Sequence, residues 1–260
     1  MYIVFFIIGF GASVIGAISG IGGGVIIKPV MDLVSGLGVA SVSFLSSTTV
    51  LSMATVSLIR SRKSPVNINV KNTSMMAVGG ILGGLAGKSL FDIVRTGFGN
   101  DKVIGVAQAS ILFVITLWVL LFYINKEKIT PQHHTSLIFS VFIGLILGSF
   151  ASFLGIGGGP INLAVLYFFF AMDSKTAALN SIFIIFFSQI ANLLFTTLSG
   201  NLPEFEPVVL IIMIVGGITG GLTGSVLSHK MTNRAVDKLF MIVLIVIMIL
   251  CVYNTISLIL

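Results

Sequence analysis

The sequence predicts an all-α polytopic membrane protein built from two internal repeats. Of its 260 residues, 56% are hydrophobic and only 8% are charged, and the mean hydropathy is +1.15. Long apolar stretches follow one another with short polar gaps, which excludes a soluble domain of ordinary size. Two glycine-rich sequences also occur twice, in the same order, once in each half of the chain. We therefore expect one membrane domain with repeats at residues 1–128 and 129–260.

The apolar segments define the expected helices. Those of about 20 residues are long enough to cross a hydrocarbon core of about 30 Å. Two others are too short to cross it, and each directly follows the sequence GIGGG, at residues 20–24 and 155–159. We expect these two to be half-helices. In chain order the segments are 2–19, 25–36, 38–59, 72–91, 103–125, 135–154, 160–172, 176–198, 207–228 and 236–260.

Two matched sequences indicate a duplication. GIGGG at 20–24 recurs at 155–159, and the sequence VGGILGGLAG at 78–87 returns as VGGITGGLTG at 215–224. Two matches in the same order and in nearly the same register are unlike a chance product of glycine-rich composition. The glycine spacing of the second pair is of the small-xxx-small type, which predicts close helix packing there. Lys88 and Asp92, which follow the first of these stripes, are expected to pair at the interface.

The distribution of charge predicts that the repeats are inverted. If each GIGGG unit turns back within the membrane, ten Lys and Arg residues lie on one side and four on the other, as the positive-inside rule requires. Eight plain transmembrane helices, the alternative, would give six against eight. We therefore expect each repeat to contain a re-entrant half-helix pair and three full spans. The ten residues are Arg60, Arg62, Lys63, Lys71, Lys126, Lys128, Lys175, Lys230, Arg234 and Lys238, and the four are Lys28, Lys88, Arg95 and Lys102.

The glycine runs are the first candidate site. A half-helix that begins after them leaves its early amides without helical partners, and the helix dipole adds positive potential, so this geometry suits an anion. Close helix packing is the alternative role of such glycines. The predicted site residues here are Gly22, Gly23, Gly24, Gly157, Gly158 and Gly159.

Polar residues near the half-helices complete the predicted substrate site. Lys28 could attract the anion, or it could extend to the membrane surface, and Asp32 lies four residues on and could neutralise it. Hydroxyl and amide groups suit an oxyanion that must also be released, although ordinary interhelical bonding is an equal alternative for any one of them. The residues of this group are Ser46, Ser47, Asn162, Asn180 and Gln189.

The sequence does not contain the residue patterns that other classes of function require. The single cysteine, Cys251, excludes an intrachain disulfide, and the three histidines have no ligand partners at metal-site spacing. We find neither a catalytic set nor a phosphate-binding loop, so we expect no cofactor and no enzymatic activity. The formal net charge of +6 belongs to loops beside the bilayer, so nucleic acid is not an expected partner. The expected partners are the lipid bilayer and a small anion, and homo-oligomerisation stays open.

The chain resembles the TauE/SafE family of sulfite and sulfonate exporters. The resemblance rests on the twofold GIGGG motif, each followed by an apolar half-helix with a nearby proline, Pro29 or Pro160, and it covers the whole chain. It implies transport of a small sulfur oxyanion or an organosulfonate, mostly outward. The expected function is thus export of such an anion across the plasma membrane. Alternatives are an uptake permease for another anion and a channel for a small solute.

Overall fold

The chain folds into a bundle of α-helices. The computed structural model describes residues 2–61, 69–98, 101–156, 158–200 and 202–259, and within them it contains ten α-helices and no strand. Seven of these helices are long and apolar enough to cross a membrane, which confirms the expected all-α polytopic class. The helices are α1 (Tyr2–Ser19), α2 (Gly24–Val34), α3 (Val39–Ser61), α4 (Val70–Phe98), α5 (Asp101–Ile124), α6 (Leu137–Phe153), α7 (Pro160–Phe170), α8 (Ser174–Leu198), α9 (Pro207–Lys230) and α10 (Asn233–Ile259).

The two helices that follow the GIGGG sequences are short, as predicted. Helices α2 and α7 have 11 residues each, which corresponds to a length of only about 17 Å. Pro160 occupies the first turn of α7, where its missing N–H leaves no helical bond unmade. Asp173 caps α8 by accepting hydrogen bonds from the amides of Lys175 and Thr176, both at 3.1 Å.

Glycine stripes pack the two halves of the chain against each other. A Cβ atom at Gly83 of α4 would lie 2.0 Å from the carbonyl oxygen of Leu145 on α6, and one at Gly220 of α9 would lie 2.4 Å from that of Phe10 on α1. Such approaches are open only to glycine. The predicted packing role of these stripes is confirmed.

In each of these two pairs the helices run parallel. Gly79 approaches Val141 and, further along α4, Gly87 approaches Ser149, so both numbers increase in the same direction. The contacts between α1 and α9 follow the same order, and so do those between α3 and α9. Helix α1 therefore has the same direction as α3, and α2 lies between them in the chain.

Helices α3 and α8 form the centre of the bundle and run in opposite directions. Ser47, early in α3, accepts a hydrogen bond from the Asn192 side chain late in α8, at 3.2 Å. Ser61, at the end of α3, lines the same cavity as Lys175 at the start of α8. We call the interface between these two helices the α3–α8 seam.

Most described basic residues lie at one end of the bundle. Lys126 forms an ion pair there with Asp237, and the Lys175 ammonium group donates to the carbonyl oxygens of His229 and Met231. We call this the basic end. Its Lys and Arg residues are those at the end of α3, α5 and α9 and at the start of α4, α8 and α10; Arg62 and Lys63 of the predicted set lie outside the described residues.

Helices α5 and α10 pack antiparallel on one flank of the bundle. The rings of Tyr123 and Phe240 lie 4.5 Å apart, and Cys251 is buried in the same layer. The outer faces of these helices expose large apolar side chains such as Trp118 and Ile249, which suits contact with lipid.

Candidate functional site

The two GIGGG segments meet near the middle of the bundle. The first glycine loop comprises residues 20–23 and the second comprises residues 155–159, of which Gly157 lies outside the described residues. Gly22 (φ 95°) and Gly158 (φ 141°) adopt backbone conformations that favour glycine, and both face Ile185, halfway along α8. A Cβ atom would lie 2.8 Å from the Ile185 side chain at Gly22 and 2.4 Å from it at Gly158.

Helix α2 begins beside the middle of α1. A Cβ atom at Gly23 would lie 3.0 Å from the carbonyl oxygen of Ala12, in the middle of α1, so the first glycine loop folds back alongside α1. A Cβ atom at Gly24 would lie only 2.0 Å from the carbonyl oxygen of Ile156 in the second loop. The described residues of both loops are buried, as irregular backbone at membrane depth must be.

Protein atoms fill the space beside most of these glycines. The neighbours of Gly22, Gly24 and Gly158 are other parts of the chain, whereas a Cβ atom at Gly159 would meet only the tip of Ile156, at 3.5 Å. Several amides of the first turn of α2 are also engaged: that of Gly24 donates to the Gly22 carbonyl, and those of Ile26 and Ile27 donate to Gly23. In this conformation the glycines serve packing, and their capacity to hold an anion stays a prediction.

A large cavity enters from the end opposite the basic end. Its volume is about 430 Å³, and it lies between α3, α4 and α8 and reaches the second glycine loop at Gly155. We call it the wide cavity. Lys88, Asp92 and Arg95 on the last turns of α4 line it, and the Lys88 ammonium group lies 3.2 Å from the Asp92 carboxylate, as the sequence predicted.

Hydroxyl and amide groups line the deeper part of the wide cavity. Ser43, Ser47 and Asn192 are among its lining residues. The Ser43 hydroxyl and the Asn192 amide oxygen are buried and have no hydrogen-bond partner within the described part of the chain. The same is true of the Ser46 hydroxyl and the Gln189 amide oxygen. Ser46 directly precedes Ser47 on α3, and Gln189 lies about one helical turn before Asn192 on α8. Unpaired buried polar atoms are unfavourable, so this region is suited to a polar ligand.

A smaller cavity lies at the basic end of the α3–α8 seam. Its volume is about 40 Å³, and we call it the narrow cavity. We call the shift in residue number from Gly20 to Gly155 the repeat offset. Several residues that line the narrow cavity are related by this shift to residues that line the wide cavity. The pairs, wide cavity first, are Ser43 with Ala178, Ser47 with Ile182, Ser152 with Ala17, Asn192 with Ser57, and Thr196 with Ser61.

Lys28 does not line the wide cavity. Its side chain is 4% exposed, lies beside Gly155 and forms an ion pair with Asp32 at 3.3 Å, so the predicted neutralisation by Asp32 is observed. The two residues line a separate space of about 20 Å³ next to α5 and α10.

The other predicted polar residues are distributed along α7 and α8. Asn162 donates to the Ser181 hydroxyl at 3.3 Å, close to the first glycine loop. Asn180 lies nearer the basic end, where its side chain accepts from the backbone of Asn69 and donates to the carbonyl of Thr176 at 2.7 Å. Among the predicted residues, Ser46, Ser47 and Gln189 thus share the seam, whereas Asn180 joins α8 to α4.

Sequence reasoning missed two features of this region. Nothing in the sequence singles out Ile185, which is one apolar residue among many on α8. Only the structure shows that both glycine loops contact it. Lys88 and Asp92 were expected to form a pair at the interface, but their position at a cavity mouth depends on the approach of α4 to α8. Within the described residues no group of three or more His, Cys, Asp or Glu side chains is placed to hold a metal ion.

These features define the class of the protein. Seven span-length apolar helices with two cavities that enter one seam from opposite ends are typical of a multi-pass membrane transporter. The family model "Sulfite exporter TauE/SafE" matches residues 5–251, and the chain belongs to this family, whose members transport sulfite and related anions across membranes. Neither a curated protein nor a solved structure matches the chain significantly.

Proposed function

We propose that the protein is a carrier that exports a small oxyanion, sulfite or an organosulfonate, across the plasma membrane, and that it is not an enzyme. The observation that carries the proposal is the wide cavity, which combines basic residues at its mouth with unpaired hydroxyl and amide groups at its floor. Family membership supplies the substrate class.

The proposed topology is two inverted repeats. The opposite directions of α3 and α8, which the repeat offset makes equivalent, support the inversion. The position of α2 in the chain, between two helices of the same direction, supports a re-entrant pair in the first repeat. Helix α7 has the same place between α6 and α8, which both run parallel to α4.

The positive-inside rule orients this arrangement. It assigns the basic end to the cytoplasm, so the wide cavity opens outward and the narrow cavity faces the cytoplasm. With the cytoplasm negative, moving one negative charge outward gains about 2.3 kcal/mol per 100 mV, so export needs no coupled ion.

The proposed binding region is the floor of the wide cavity. Ser47 on α3 and Asn192 on α8 line it, and Ser46 and Gln189 lie beside them on the same helices, so these residues supply neutral hydrogen-bonding groups at or next to the floor. Hydroxyl and amide donors hold an oxyanion less tightly than charged groups do, which allows its release. The second glycine loop reaches this floor at Gly155, and the anion would pass the glycine loops on its way between the two cavities.

Carrier action is favoured over an open channel by what separates the cavities. Between Ile182, which lines the narrow cavity, and Asn192, which lines the wide one, α8 rises about 15 Å. Ile185 and Gln189 lie on the same helical face in that interval, and both are buried. Passage therefore requires a change of conformation.

The test is sulfite efflux from proteoliposomes under an imposed membrane potential. Wild type is compared with Gly158→Leu, which inserts a large side chain where Ile185 already packs, and with Gly97→Leu, where no atom lies within 4 Å of an added Cβ atom. We expect efflux that depends on the potential, is retained in Gly97→Leu and is abolished in Gly158→Leu. Absence of sulfite and sulfonate flux in folded wild-type protein would refute the proposed substrate class.

A further inference from the structure

Two equivalent serines have different hydrogen bonds in the two repeats. The Ser181 hydroxyl on α8 donates to the carbonyl oxygen of Gly20 in the first glycine loop, at 2.7 Å. By the repeat offset, their equivalents are Ser46 on α3 and Gly155 in the second loop. The Ser46 hydroxyl is fully buried, yet it has no partner within the described part of the chain.

The serine that makes its hydrogen bond lies beside the smaller cavity, and the serine that lacks one lies beside the larger cavity. Ser181 ties α8 to the end of α1 beside Ala178 and Ala17, which line the narrow cavity of about 40 Å³. Ser46 is next to Ser47, and both Ser47 and Gly155 line the wide cavity of about 430 Å³. The bond between serine and loop is thus present at the end that is closed and unmade at the end that is open.

The second loop approaches its helix less closely than the first. A Cβ atom at Gly20 would lie 2.3 Å from the backbone of Ala178, whereas one at Gly155 would lie 2.3 Å from the hydroxyl of Ser43, the equivalent residue, and 2.9 Å from its Cβ atom. Asn162 donates to Ser181, and the equivalent position is the apolar Ile27. That donor serves the oxygen of Ser181 and not its hydrogen, so its lack does not explain why the Ser46 hydroxyl has no acceptor.

We infer that Ser181 and Ser46 are alternate latches of the carrier: the Ser181–Gly20 hydrogen bond holds the narrow cavity closed in the conformation described here, and a Ser46–Gly155 hydrogen bond closes the wide cavity in the opposite conformation. This inference rests on the proposed carrier function. A buried hydroxyl gains by finding an acceptor, so each conformation satisfies one serine at the expense of the other. Because one hydrogen bond replaces the other, the two conformations stay close in free energy. A carrier needs this, since it must populate both conformations during each transport cycle.

Cysteine labelling measures the two conformations without any substrate. In a Cys251→Ala background, Ser61→Cys reports opening of the narrow cavity and Thr196→Cys reports opening of the wide one. These two positions are equivalent in the repeats, and each hydroxyl bonds only to its own helix in the described structure, at 2.8 Å in both cases. The rate of reaction with a polar thiol reagent is measured on detergent-purified protein whose melting temperature is recorded.

The two latch variants are expected to act in opposite directions. Loss of one net hydrogen bond shifts a two-state equilibrium about fivefold. Ser181→Ala should therefore raise the labelling rate of Ser61→Cys about fivefold, whereas Ser46→Ala should lower it by a similar factor. The control Ser140→Ala removes a buried hydroxyl that donates to the carbonyl of Ser136, the N-cap residue of α6, and should leave both rates unchanged.

Rates that move in the same direction in the two latch variants, or that stay within the range of the control, overturn the inference. If Ser181→Ala does not fold, Ser46→Ala decides alone, because a labelling rate of Ser61→Cys that is unchanged or raised contradicts the latch. Sulfite efflux is measured separately on the same variants. Opposite labelling shifts without sulfite flux would refute the proposed substrate and leave the latch inference intact. Sulfite flux without those shifts would support the proposed substrate and refute the latch inference.

Discussion

Gly24 and Gly159 occupy equivalent positions in the two GIGGG motifs, and the structure predicts opposite tolerance to alanine. A Cβ atom at Gly24 would lie 2.0 Å from the carbonyl oxygen of Ile156 and 3.0 Å from the Ser46 hydroxyl. Ordinary van der Waals contact begins near 3.4 Å, so Gly24→Ala must push the two loops apart by more than 1 Å. At Gly159 the nearest atom is the flexible tip of Ile156, at 3.5 Å, and the backbone is extended.

The magnitude follows from the kind of atom that is met. The neighbour of Gly24 is backbone, which cannot rotate away, so we expect the upper end of the overpacking range, about 3 kcal/mol. At about 2–4 °C per kcal/mol, this lowers the melting temperature by about 6–12 °C. Alanine is favoured over glycine within helices by about 1 kcal/mol, so local propensity alone predicts the opposite sign.

The assay is thermal unfolding of detergent-purified protein, followed by sulfite efflux from proteoliposomes. Gly24→Ala should lose stability by this amount and reduce efflux at least tenfold, and Gly159→Ala should stay close to wild type in both. Equal effects of the two substitutions would refute the reasoning, because they would mean that the loops do not meet as described.

Three further outcomes are expected. Gly83→Ala should lower the melting temperature by several degrees, because its Cβ atom meets the backbone of α6, whereas Gly97→Ala, in open space, should be neutral or slightly stabilising; two equal shifts would argue against the α4–α6 contact. Asp237→Asn should lower the melting temperature because it leaves the half-buried Lys126 without its carboxylate, and an unchanged value would show that the pair contributes nothing. Ile185→Ala should increase passive anion leak in proteoliposomes, since it removes bulk between the two cavities, and leak equal to that of wild type would show that the barrier lies elsewhere.

Much of the fold could be predicted from the sequence because membrane helices depend on local properties. Length and hydropathy locate the spans, and the glycine run before Pro160 predicts the short helix α7 with the proline in its first turn. The small-xxx-small stripes on α4 and α9 predicted close packing, although not that their partners are α6 and α1. Partner choice is a long-range property and leaves no local pattern.

The candidate site was predictable only in part. Ser46, Ser47 and Gln189 were expected to line a path, and the structure brings them to one seam with unpaired polar atoms beside a cavity. For Lys28 the sequence allowed two roles, attraction of the anion or extension to the membrane surface. In the structure Lys28 pairs with Asp32, in a space separate from the wide cavity. Ile185 has no polar atom and belongs to no motif, so no pattern could have indicated its place between the loops.

By itself, therefore, the sequence determined the class of the protein, its apolar helices and the twofold occurrence of its motifs, because hydropathy, helix breaking and repetition are encoded along the chain. Only the tertiary structure decided that two identical GIGGG motifs have different neighbours, that one cavity is wide and its equivalent narrow, and that Ser181 is bonded while Ser46 is not. The physical reason is that a folded protein with two near-identical halves still adopts one conformation at a time, and the difference between the halves lies in their packing.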